Sequence, residues 1–141
     1  MNRLKSILIT IAAWLIGALS NFFVIQVGGK IIPLPPGVDV SSQESLLATI
    51  HLMHPANFIT PLLAHTVGTF VGALLVSKWT ASQQLTKALL IGLLFFIAGF
   101  YEVMVLNAPA WFEVLDVTLA YFPMAYLGYR VGAKGSDESY F

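Results

Sequence analysis

Four apolar runs, each about as long as the roughly 20 residues that cross a bilayer core, dominate this chain. They cover residues 7–27, 58–79, 88–106 and 112–131. Backbone groups in lipid find no water to bond, so each run must satisfy its own and is expected to be a helix rather than an open strand. Composition points the same way. Of 141 residues, 57% are apolar and 10% charged, against about 25% charged in an ordinary soluble domain. The mean hydropathy is +0.81. A lipid-facing surface can be built from this sequence and a water-facing one cannot.

The fold expected is an all-α integral membrane domain over residues 1–134, a four-transmembrane-helix bundle with a disordered polar tail at 135–141. The first run follows Arg3 and Lys5, and Ala18-Leu19-Ser20 has the small residues of a signal cleavage site. A signal peptide's apolar region is only about 7–15 residues long, so a retained helix is expected. Orientation follows the basic residues. With four crossings, Arg3, Lys5, Lys78, Lys87, Arg130 and Lys134 fall on one side and only Lys30 on the other. Both termini are then cytoplasmic. Trp79, Trp111 and Tyr129 sit where interfacial anchors belong.

One connection is long, the outer loop 28–57. Pro33, Pro35 and Pro36 exclude a helix at its start. Ser41 and Glu44 then have capping-box spacing, predicting a short helix over about 42–53. Its Leu46, Leu47, Ile50 and Met53 share a face that would lie on the membrane surface or over the bundle. Thr60-Pro61 has the pattern of an N-cap followed by proline at the first helical position.

Polar groups inside the spans need a reason, because a charge at the bilayer centre costs at least about 2.5–3.5 kcal/mol. They are Asn21, His65, Glu102 and Asp116, with Glu113 near the start of the fourth run. Each of the first four shares a helix face with small residues: Asn21 with Gly17 and Ala18, His65 with Gly68 and Gly72, Glu102 with Gly99 and Ala98, Asp116 with Ala120. Small residues mark helix contacts in lipid, so these groups are expected to face the bundle interior. Their depths agree, roughly 6–10 Å below the outer interface at 1.5 Å per residue. An outward-facing polar pocket lidded by the loop is the candidate site.

Several chemistries lack support. Cysteine is absent and the net charge is zero, which excludes thiol chemistry and disfavours nucleic acid as a partner. No phosphate loop, serine elbow or other catalytic motif is present, so an enzyme is not expected, nor a cofactor. His51, His54 and His65 are weak metal candidates. His51 and His54 stand about one turn apart, but without the HExxH pattern. The small multidrug exporters have four helices and similar size, yet they carry a glutamate in the first helix, and here that helix has no charge between Ser6 and Gly29. Gly68-x-x-x-Gly72 and Gly128-x-x-x-Gly132 suit either contacts within the chain or a homo-oligomer or membrane partner protein.

The stretch from Ala110-Trp111-Phe112-Glu113-Val114-Leu115-Asp116 to Ala120-Tyr121-Phe122-Pro123-Met124-Ala125, with His65 and Gly68 upstream, resembles an uncharacterised family of small bacterial four-helix inner-membrane proteins. The resemblance covers most of the chain and implies a bacterial inner membrane. It carries no activity. Two functions remain: binding or translocation of a small ligand or proton in the outer pocket, or a structural or accessory subunit held by helix–helix contacts.

Overall fold

The computed structural model describes residues 2–133, so the tail 135–141 lies outside the described residues. All regular structure among them is helical. The order is α1 (Arg3–Ile31), α2 (Gln43–Thr49), 3-10 turns at Ile50–Leu52 and Pro55–Phe58, α3 (Ile59–Trp79), α4 (Gln84–Val105), α5 (Ala110–Leu119) and α6 (Phe122–Gly132).

Three helices among the described residues are long and apolar enough to cross a membrane: α1, α3 with its preceding turn, and α4. The four-transmembrane-helix bundle is therefore incorrect. The fourth apolar run is two short helices of 10 and 11 residues, about 15–17 Å each at 1.5 Å per residue, half of a bilayer core. Pro123 is the cause. It has no N–H to give to Leu119, and its ring clashes with that residue's carbonyl in a continuous helix. The chain leaves helical geometry at Tyr121 (φ −108°, ψ −82°) and restarts with proline in the first turn of α6, where it is tolerated. The placement of both termini in the cytoplasm depended on four crossings and falls with them.

Helix α3 is central, with α1, α4 and α6 packed around it. Helix α1 runs antiparallel to it, Gly17 beside Gly68 and Gly72 and Gly28 beside Thr60. A Cβ at Gly17 would lie 2.6 Å from the Gly68 carbonyl oxygen, so only glycine allows this approach. Ala13, Ala73, Val76, Ala88, Ile91, Phe95, Ala120, Tyr121 and Ala125 form the core. The outward residues of α1, among them Leu8, Leu15, Leu19, Phe22 and Phe23, are exposed, as lipid-facing residues are. The chain is thus a small all-α protein with several apolar helices suited to a bilayer.

The long connection closes one end of the bundle, here the loop end; the α3–α4 connection marks the turn end. Leu46, Ile50 and Met53 pack with Phe58, Leu106, Ala108 and Phe112, while Leu47 is exposed. Ser42 rather than Ser41 caps α2, accepting from the Ser45 amide at 3.0 Å. The α3 helix begins at Ile59 with no side-chain cap, so Thr60 is not an N-cap. That role falls to the preceding turn, where Pro55 stands in the first positions and Asn57 Oδ1 accepts from the His54 amide at 2.9 Å. Asn57 also donates to the Pro33 carbonyl at 3.0 Å, tying the proline segment to the start of α3.

Candidate functional site

Three helical segments bring His65, Asp116 and Tyr121 together. His65 stands in the second turn of α3. Asp116 lies near the end of α5, four positions after Phe112, the apolar residue that seats α5 at the loop end. Tyr121 occupies the break between α5 and α6. In an uninterrupted helix, five residues turn the side chain by about 140°, which would point Tyr121 away from Asp116. The break turns it back, and its hydroxyl donates to Asp116 Oδ2 at 2.6 Å. Gly99 on α4 makes room for the ring, since a Cβ there would overlap the Tyr121 hydroxyl.

Asp116 is 2% exposed, and both of its oxygens are engaged. Oδ1 lies 2.7 Å from His65 Nδ1. A carboxylate only accepts, so it holds the imidazole with its proton on Nδ1. The Tyr121 hydroxyl oxygen, 3.1 Å from the same nitrogen, is then a second acceptor for that N–H. The tautomer leaves His65 Nε2 free to take a proton. It faces Glu102 Oε2 at 3.7 Å, and the Glu102 side chain is 53% exposed against 12% for His65. His65 thus bridges a buried carboxylate and an exposed one.

Beside this cluster is a cavity of about 20 Å³, lined by Gly99, Glu102, Val103, Leu106, Ala108, Phe112, Glu113 and Asp116. Its volume suits one water molecule. Organic ligands occupy roughly 300–1,000 Å³. A larger cavity of about 200 Å³ lies between the loop ends of α1 and α3, but its lining, which includes Val24, Val27, Ile31 and Leu63, presents no polar surface.

Of the sequence candidates, His65 bonds directly to Asp116 and faces Glu102 at 3.7 Å, and Glu113 lines the small cavity with Glu102 and Asp116. Asn21 packs its Cβ over Gly68 but makes no hydrogen bond to the cluster. His51 and His54 lie in the loop, exposed. Among the described residues no group of three histidine or carboxylate side chains is placed to hold a metal ion. Tyr121 is the member that sequence reasoning missed. Its signal was Pro123, two residues on, inside an apolar run.

Comparison of the chain with protein-family models, with curated proteins and with solved structures gives no match.

Proposed function

We propose that this protein takes up and releases protons at His65, with Asp116 and Tyr121 holding the imidazole and Glu102 exchanging with water at the loop end. The observation that carries the reading is the position of His65 between a carboxylate that is 2% exposed and one that is 53% exposed. A proton on Glu102 passes to Nε2: its O–H bond breaks, an N–H bond forms, and the imidazolium is balanced by Asp116 on its other side. At 3.7 Å the pair exceeds hydrogen-bond length, so the transfer takes either a small approach of the two side chains or one bridging water. The size of the adjoining cavity favours a proton over an organic ligand. A bacterial inner membrane is the proposed location, resting on the family resemblance.

Reconstitution into liposomes with a pH gradient and an internal pH-sensitive dye tests this. Wild type should dissipate the gradient about a hundredfold faster than His65→Leu, within the range that a positioned acid or base contributes. Equal rates for wild type, His65→Leu and empty liposomes would contradict it.

A structural clamp is the second reading, favoured by the fact that His65 and Tyr121 tie α3 to both sides of the α5–α6 break through Asp116. It predicts that His65→Leu lowers the unfolding temperature and that no flux exists to lose. An accessory subunit acting through its glycine motifs has less support. Gly68 and Gly72 are occupied by α1, and Gly128 and Gly132 by Phe70, Ala73 and Leu74 of α3.

A further inference from the structure

Not every buried hydroxyl in these helices is satisfied within its own helix. Thr10, Ser20, Thr66 and Thr118 each donate to a carbonyl three or four residues back in their own helix, the usual way of satisfying a hydroxyl in an apolar helix. Thr69 and Ser77 do not. Both are 0% exposed, and neither hydroxyl has a hydrogen-bond partner. Leaving a buried hydroxyl unpaired opposes folding, and Val or Ala at the same positions would not carry that penalty.

Both lie on one ridge of α3. His65, Thr69, Ala73 and Ser77 follow at intervals of four, the ridge that packs against neighbouring helices. Thr69 is one turn from His65 toward the turn end. Ala73 is closed over by α6, since a Cβ at Gly128 would lie 2.8 Å from the Ala73 Cβ. Ser77 is in the last turn before the α3–α4 connection, where its carbonyl accepts from Gln84 Nε2 at 3.0 Å. Two lone hydroxyls therefore flank a close contact between α3 and α6, with the His65 cluster at one end of the line.

We infer that the proton route continues from His65 along this ridge, with the Thr69 and Ser77 hydroxyls as its stations and the Ala73–Gly128 contact as its barrier. The inference rests on the proton reading of His65 and extends it from exchange at one end to passage through the bundle. A hydroxyl accepts a proton on one lone pair and releases its own on the other side, so neither residue changes its net charge. Thr69 is one turn, about 5.4 Å, from His65, and Ser77 is two turns, about 11 Å, from Thr69; both steps exceed a hydrogen bond, so water carries the proton between stations. Passage beyond Ala73 requires α6 to move away from α3. That helix starts at the break held by Tyr121, whose hydroxyl is bonded to Asp116, so the barrier and the proton site share one mechanical connection.

The liposome flux assay tests this with Thr69→Val, Thr69→Ser and Ser77→Ala, compared with wild type and His65→Leu. Thr69→Val and Ser77→Ala should each reduce flux about tenfold, equivalent to one decade in rate, while unfolding no earlier than wild type. Thr69→Ser keeps the hydroxyl and should keep the flux, which a packing role for Thr69 would not predict. Wild-type flux that survives both Thr69→Val and Ser77→Ala overturns the route and leaves the His65 site standing. Wild type no faster than His65→Leu overturns the proton reading and this route with it. Should Thr69→Val not fold, Ser77→Ala against wild type decides alone.

Discussion

Helix α3 meets its neighbours in two different ways. Against α1 it offers Gly68 and Gly72 to Ala13 and Gly17, backbone nearly touching backbone, and among the described residues no side-chain hydrogen bond crosses. Against α5 and the start of α6 it offers His65, which bonds to Asp116 and contacts Tyr121. Further along, α6 returns to the first manner, with Gly128 and Gly132 against the α3 backbone. Helices in this chain therefore associate without polar side chains wherever glycine allows close approach. The hydrogen-bonded cluster at the loop end is not needed for helices to adhere in lipid, and its presence there calls for another reason.

The strongest way to break this comparison is at the glycine interface. In Gly68→Val the new side chain would meet Asn21 Cβ at 2.8 Å and the Gly17 carbonyl at 2.9 Å. Overpacking of this kind costs about 3 kcal/mol, and thermal unfolding in mild detergent should show the largest fall of any variant considered. Asp116→Ala comes next. It removes the acceptor shared by the His65 Nδ1–H and the Tyr121 hydroxyl, for about 2 kcal/mol, roughly 1 for each lost hydrogen bond. Asp116→Asn, which still accepts one of the two bonds, should fall between it and wild type.

Glu102→Gln sharpens the contrast between holding the fold and moving a proton. The Glu102 side chain is half exposed and 3.7 Å from His65, and exposed pairs contribute about 0–1 kcal/mol. Its melting curve should overlay that of wild type while liposome flux drops. A large fall in unfolding temperature would instead place Glu102 in the clamp.

The smallest effect lies in the loop. The Asp39 carboxylate accepts from the Ser41 amide at 2.9 Å, and the Asp39 amide donates to Thr49 Oγ1 at 3.0 Å. The Ser41 hydrogen bonds hold the Asp39 carboxyl below its ordinary value of 3.8. A carboxyl with a lowered folded-state pKa contributes its full local stability above the ordinary value and loses it as pH falls through the lower one. Hydrogen exchange at the Ser41 amide should therefore stay slow down to the ordinary aspartate range and quicken below it. Asp39→Asn should remove the pH dependence and leave the bundle core unchanged.

How much of this was legible in the sequence depends on the kind of signal. Small residues spaced three and four apart pointed His65 and Asp116 inward, because which face is buried is a periodic property of one helix, whereas Glu102, expected on an interior face by the same pattern, is half exposed. Asn21 shows the limit of that signal. Its face meets Gly68, but a shared face does not specify a hydrogen-bond partner, which depends on how two helices cross. Tyr121 was hidden by the assumption of a continuous fourth helix. In that helix it points away from Asp116, and only the interruption at Pro123 turns it toward the cluster. Counting apolar residues treated Pro123 as one more member of a run, although proline inside a helix is a strong local signal of a break. Thr69 and Ser77 carried no sequence signal at all, since small hydroxyls are ordinary in apolar helices.

The most direct test of the account is nitrogen NMR of the histidine side chains in detergent micelles, with the His65 signals assigned by their loss in His65→Leu. Nδ1 should remain protonated throughout, held by Asp116, while Nε2 gains and loses its proton across the pH window in which the protein stays folded. The Nε2 midpoint should move in Glu102→Gln. If His65 keeps one protonation state across that window, or Nδ1 is the nitrogen that titrates, the central claim is contradicted and the cluster is a clamp.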